Sequence, residues 1–374
     1  MKIERLARFD EWIQSIRSFF APSHYLSYLR SRQQRVSSSN YPGPVACYDF
    51  SSTSIDLDSG RYLFHMVCDF LQTGYRPVYR DRFRFLATLQ RKLYKKRLLD
   101  FPFATYHNLD EVPRPYVLLT DSWKTPAGDA QKTIRIDYAE RRPSKPHEIA
   151  LPYFAHPTIQ AKHEFSPPTD PAAERPVRIF FAGNTRAKKY SAGPVKEKYL
   201  MMPRNQVLQH VRNHLAPADI RVPTSNSELA RIDRTTFFCA EGRHFRIPFE
   251  NWLATMRQAD FFLACPGVAM PLCHNLLEAL LCGTVPILEY HRYLHPALEH
   301  GKNCLTYHDR ASLIEAINQA IAMPSDQVIA LRRGAYDYFQ QNCLRGQFVR
   351  KLLDNPASEV TLLFNACRTP ILAP

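Results

Sequence analysis

Acidic residues are in short supply in this chain: 35 Asp and Glu stand against 49 Lys and Arg, a formal charge of +14. That excess suits an anionic ligand, an anionic acceptor or an acidic membrane surface, and by itself also nucleic acid. Glycine is scarce as well, at 12, whereas proline reaches 29. This balance speaks for short rigid loops and against a disordered chain. No run reaches the ~18 apolar residues that a bilayer crossing needs. Charges at Glu4, Arg5, Arg8, Asp10 and Glu11 interrupt the start, where a signal peptide carries its apolar core. The nine cysteines contain no C-x-x-C pair, which argues against a disulfide framework and against a zinc site. A reducing cytoplasm is the expected compartment, with the inner face of the membrane as a second place of action.

A length of 374 residues with 45% hydrophobic residues leads us to expect two packed domains. The most informative stretch runs from Arg257 to His308. Phe261–Ala264 is an apolar run closed by Cys265-Pro266-Gly267, which reads as a buried strand and a turn. Leu272, Leu276, Leu277, Leu280 and Leu281 then recur at helical spacing, and Gly283 stands where a helix-terminating glycine belongs. Residues 284–288 form a second apolar run. Strand, loop, helix, strand is a βαβ unit, whose ligands bind outside the carboxyl ends of the strands. Pro266 to Asn275 and Glu289 to Leu294 are therefore expected to line a site. One carboxylate, Glu278, interrupts the apolar helix.

Further motifs agree in order along the chain. They are Cys265-Pro266-Gly267, Glu278-Ala279-Leu280, Gly283-Thr284-Val285-Pro286-Ile287-Leu288 and Leu294-His295-Pro296, preceded by Ile149 to Tyr153 and Arg178 to Asn184. Over roughly residues 149 to 310 this resembles the exostosin-type family of GT-B glycosyltransferases. The resemblance implies an α/β fold of two Rossmann-like domains facing a central cleft, with a C-terminal helix crossing back. It also implies a nucleotide-sugar donor in the second domain, with Glu278 on the ribose. Where the family carries Ser-x-Arg, this chain has Cys273-His274-Asn275, so an arginine expected on the diphosphate is missing there.

The expected domains are 1–154, a proline-rich linker 155–177, a nucleotide-sugar domain 178–345, and a helix and tail 346–374 that pack back. Residues 1–35 read as an amphipathic helix that packs on its own domain or docks at a lipid surface. A basic helix is expected over 82–99. In the first domain the loop after the strand 45–50 offers Asp49, Asp58 and His65 for the acceptor hydroxyl. Asp56-Leu57-Asp58 matches a three-residue metal signature, but it lies in a serine-rich loop that favours Asp for turn reasons, so no metal and no cofactor are expected. After the strand 177–182, Gly183, Asn184, Arg186, Lys188 and Lys189 form a glycine-led basic loop that suits an anion. It matches neither the Walker pattern nor G-x-G-x-x-G, which disfavours a P-loop and a dinucleotide fold. With Pro266, Gly267, His274, Asn275 and Glu278 it makes the expected donor site.

The expectation is glycosyl transfer from a UDP- or CMP-linked sugar to a glycan or lipid-linked acceptor, as in surface polysaccharide synthesis. A silent glycan-binding module on the same fold is the alternative. Nucleic acid is not expected as a partner, because the basic residues are not interleaved with a stacking-aromatic motif.

Overall fold

The computed structural model describes residues 16, 22–33, 43–162, 172–186, 190–191, 194–229, 232–268 and 270–364. Most of the amphipathic helix expected over 1–35 lies outside these, as do Lys188 and Lys189. The described residues form two compact units, one running to Leu151 and resuming at Arg345, the other spanning Pro152–Leu344.

The first unit holds β1 (Val45–Asp49), β2 (Arg76–Arg80), β3 (Ala104–Tyr106), β4 (Tyr116–Thr120), β5 (Lys132–Asp137) and β6 (Glu148–Ala150). Its helices include α1 (Pro22–Gln33), α2 (Leu57–Gln72) and α3 (Phe83–Leu89). The second holds β7 (Val177–Gly183), β8 (Ile220–Arg221), β9 (Thr235–Glu241), β10 (Ala259–Leu263), β11 (Val285–Leu288) and β12 (Leu305–Thr306). Its main helices are α4 (Arg204–His214), α5 (Phe249–Met256), α6 (His274–Leu281), α7 (Arg310–Ala322) and α8 (Ser325–Asn342). The chain then returns to the first unit with α9 (Gln347–Asp354) and β13 (Glu359–Leu363).

Both sheets are parallel, with orders β3-β2-β1-β4-β5-β13-β6 and β12-β11-β10-β7-β9-β8. This is a mixed α/β architecture of two Rossmann-like units. In the second sheet the chain goes from β7 out to the edge strand β8, returns to β9 beside β7, then crosses to β10 on the other side. The strand order therefore reverses between β7 and β10, and the crevice beyond their carboxyl ends is where such sheets bind ligands. The central strands are apolar because both faces are covered. Ile179, Phe181, Phe237 and Phe261 pack under α4 and α7, while Phe180, Phe238 and Phe262 pack at tilted ring angles on the opposite face with Trp252 of α5. Helix α6 stops at Gly283 (φ +58°), with Gly283 N–H bonded to Leu280 O and Thr284 N–H to Ala279 O, a Schellman ending.

Two expectations are corrected. The basic helix over 82–99 ends at Leu89, and residues 95–100 form a separate 3-10 turn. Three consecutive left-handed residues, Asp58, Ser59 and Gly60, open α2 and bring this turn against it. Tyr94 N–H donates to Ser59 O, and a Cβ on Gly60 would lie 2.7 Å from Lys95 Cβ. Lys95 is consequently enclosed and not part of a basic surface. The C-terminal segment is also more than a helix and tail, because β13 inserts between β5 and β6.

Candidate active site at the edge of the second sheet

The carboxyl edge at β7 and β10 is organised by Arg204, the first residue of α4. Its guanidinium is buried and donates from Nη1 to Asn184 O at 3.0 Å and from Nη2 to Pro266 O at 3.1 Å. It also lies 4.3 Å from the centroid of the Tyr190 ring. Among the described residues no carboxylate hydrogen-bonds to it, and its Nε has no partner. A buried cation held by carbonyls, without a neutralising acid, is poised for an anion. Gly183 admits this group: a Cβ there would sit 3.2 Å from Arg204 Nη1. Gly267 closes the other loop, its N–H bonded to Pro271 O, and a Cβ would meet Met270 O at 2.5 Å. Asn275 donates from Nδ2 to Ala182 O at 3.0 Å and so ties the start of α6 to the end of β7. Cys273 caps that helix without a side-chain bond, and its carbonyl accepts the Leu276 N–H.

One turn into α6, Glu278 is 1% exposed. Its Oε1 accepts from His156 N–H at 2.8 Å and its Oε2 from Trp252 Nε1 at 2.6 Å, which fixes the plane of the carboxylate. His274, four residues earlier on the same face, packs edge-on against the His156 ring at 5.0 Å, and His156 stacks on Phe249 at 4.9 Å. The structure thus brings Gly183, Asn184, Pro266, Gly267, His274, Asn275 and Glu278 to one edge. Arg186 is exposed there, its N–H accepted by Asn184 Oδ1. Lys188 lies outside the described residues.

The first-unit candidates fare differently. Asp49 is buried and accepts from Arg80, Arg82 and Thr125. Burial pushes its carboxyl up, but the bonds from Arg82 and Arg80 outweigh that and hold it below the ordinary range. It anchors β2 and the 121–125 loop, and its carboxylate is already committed. His65 lies inside α2 at 0% exposure, edge-on to Phe64, because both sides of that helix are covered; this removes it from the accessible set. Asp58 alone reaches solvent, 45% exposed and paired with Arg61 at 2.6 Å. Asp56 is bonded to the enclosed Lys95 Nζ at 2.8 Å, so Asp56-Leu57-Asp58 does not present two carboxylates together. Asp121 accepts from Ser51 and Ser52 N–H and closes the loop after β1.

No protein-family model matches the chain, and no curated protein matches it. In structure it is similar to the N-terminal domain of Candida albicans trehalose-6-phosphate phosphatase, at TM-score 0.46 and 11% identity over 85% of this chain and 98% of that one. A glycosyltransferase from Rickettsia africae ESF-5 gives 0.44 and 10% over 84% and 98%. An alpha-glucosyltransferase solved with UDP and a 13-mer DNA gives 0.35 and 12% over 83% and 100%. At these scores and identities the chemistry has to be read from the residues of the chain itself.

Three residues of the edge were not anticipated, Arg204, His156 and Trp252, whereas Glu289 belongs to the 289–294 stretch expected to line it. Glu289 ends β11 and accepts from Met202 N–H at 3.0 Å; burial pushes its carboxyl up to about 7. Only Glu289 had a sequence signal, its place just after an apolar strand. Arg204 sits in a polar helix start, 69 residues before Cys273, with no pattern linking the two.

Proposed function

We propose that this protein transfers a glycosyl group from a UDP- or CMP-linked sugar to a glycan or lipid-linked acceptor, as the exostosin-type resemblance suggests. The observation that carries the reading is the buried, bidentately positioned Glu278 one turn from a helix start that faces Arg204. In the resemblance a helix glutamate at this place holds the ribose of the donor, and Glu278 is the residue that stands there. Arg204 and the first-turn N–H groups of α6 then supply positive charge where the leaving nucleoside phosphate develops negative charge, the electrostatic term such a reaction needs most. His274, the first residue of α6, suits a hydrogen bond to the same phosphate or to an acidic sugar. Glu289, with a pKa near neutrality, suits proton uptake at this edge. Of the first-unit candidates Asp58 is the accessible carboxylate. No divalent cation is required in this scheme, since Asp56 is consumed by Lys95, and EDTA is expected to leave turnover unchanged. Action on surface polysaccharide at the cytoplasmic face of a membrane belongs to the same reading.

The test is thermal-shift and calorimetric titration with UDP, CMP, GDP and ADP, followed by release of the nucleotide from the corresponding sugar donors. UDP or CMP is expected to bind, and Glu278→Gln to abolish that binding while keeping the fold. Folded protein that ignores all four nucleotides, or a Glu278→Gln variant with unchanged affinity, overturns the assignment.

A further inference from the structure

Strands of a doubly wound parallel sheet ordinarily read as apolar runs, because helices cover both faces. Three neighbours in the first sheet depart from this. β5 alternates Thr133, Ile134, Arg135, Ile136, Asp137, and β13 alternates Glu359, Val360, Thr361, Leu362. Register sets Arg135 beside Thr361 and Thr361 beside Glu148, so these polar residues share one face. Ile134, Ile136, Val360 and Leu362 fill the core on the other.

The loop after β4 lies over the polar face. Arg135 donates from Nη1 to Ser122 O at 2.7 Å and to Thr125 O at 3.0 Å, and its Nη2 is 3.0 Å from Glu359. Anchored this way, the guanidinium forms a platform 5.8 Å from the centroid of the Trp123 ring. The indole is nevertheless 65% exposed, the most unusual burial for a tryptophan in the described chain. Beside it opens a cavity of about 320 Å³ lined by Trp123, Arg141, Lys145, His147, Glu359 and Thr361. That is the low end of the ~300–1,000 Å³ of small-ligand sites.

The lining decides the ligand class. Arg135 is paired with Glu359, and Arg141 with Glu148 at 2.8 Å and Asp137 at 3.0 Å. Of the lining residues, Arg141 and Lys145 stand against Glu148 and Glu359, so the cavity has no net charge to select an ion. An apolar ligand would cut these fixed polar groups off from water without compensation. A neutral polyhydroxylated ring meets both conditions, its C–H face on the indole and its hydroxyls on the paired carboxylates and guanidinium.

We infer that this cavity is a binding subsite for a neutral saccharide of one or two rings, with Trp123 as the stacking platform. Under the glycosyl-transfer reading it is the arm that holds the acceptor glycan; that role rests on the reading, whereas the binding itself does not. The experiment is a printed array of neutral and acidic glycans probed with the full chain, then calorimetry of the strongest neutral oligosaccharide. Trp123→Ala is expected to weaken binding at least tenfold with an unchanged melting temperature, since the side chain is largely exposed, and Trp123→Phe to restore part of it. Binding should persist in Glu278→Gln protein, which separates failure of the donor assignment from failure of this one. Capture of acidic glycans alone, no neutral glycan above background, or neutral binding indifferent to Trp123→Ala overturns the inference.

Discussion

Arg204 is the side chain whose removal separates structure from chemistry at the sheet edge. Arg204→Met keeps the buried stem and deletes the fork that holds Asn184 O and Pro266 O. Two carbonyls lose a donor, at about 1–3 kcal/mol each if left unsatisfied, but the variant no longer buries an uncompensated cation, which returns part of that. A net loss of about 1–3 kcal/mol is expected, and each kcal/mol lowers a melting temperature by roughly 2–4 °C at this domain size. For ligand, the loss of a charge-assisted bond to phosphate is about 1.5–3 kcal/mol, equivalent to roughly 10- to 150-fold in Kd. The informative comparison is UDP against uridine, titrated calorimetrically on wild type and variant at a temperature where both are folded. Uridine lacks the phosphates and should weaken no more than about threefold, an allowance for loop displacement of well under 1 kcal/mol. Arg204→Lys should fall between, because it keeps the charge without the fork. Equal weakening of UDP and uridine would reduce Arg204 to a loop tether, and unchanged UDP affinity in folded protein would refute the phosphate role outright.

Other consequences are equally measurable. Asp69 is buried in α2 and accepts the Gly346 N–H, and burial raises its carboxyl to about 7. Because the folded value lies above the unfolded one, its favourable contribution is complete below about pH 4 and disappears as pH rises through 7, with an upper limit on the order of 4 kcal/mol. Urea midpoints at pH 5 and pH 8 should therefore differ in wild type, and Asp69→Asn should narrow the gap; an unchanged gap rejects the assignment. Lys95→Met leaves Asp56 buried without its cation and should cost about 3–5 kcal/mol in chemical denaturation, with much of it recovered by adding Asp56→Leu. Gly267→Ala places a Cβ 2.5 Å from Met270 O, so the loop bearing Pro266 must shift. UDP affinity should fall at least tenfold while far-UV circular dichroism is unchanged, and retained affinity would show that this loop does not meet the ligand.

Much of the second sheet could be read from the sequence because its signals are local. Phe261–Ala264 and Val285–Leu288 are apolar runs, Gly283 ends α6 through a left-handed residue, and a lone carboxylate in an apolar helix marks Glu278. Arg204 was illegible for the opposite reason. Its partners Asn184 and Pro266 contribute only backbone carbonyls, which leave no trace in residue type. His65 misled because a histidine in a helix after a polar loop has the same local pattern whether the helix is covered on one side or on both. Lys95 misled because helical periodicity continues through Arg82 to Leu99, and only the left-handed Asp58-Ser59-Gly60 segment, which packs against it from elsewhere, forces the 3-10 turn.

The alternation in β5 and β13 shows how a pattern gains meaning from its place in the fold. Thr-Ile-Arg-Ile-Asp is the ordinary signature of a strand with one wet face, as in an antiparallel sheet. Seven parallel strands make that same signature unusual, because here a face of buried polar residues, Arg135 at 7% and Thr361 at 8% exposure, lies where an apolar face under a helix is expected. The polar residues on it are mutually paired and hold a tryptophan outward, so the face is built and not merely unfinished. A sequence read strand by strand assigns Arg135 to solvent. Knowing that its neighbours are β4 and β13, in parallel register, turns the same arginine into the support of a binding surface.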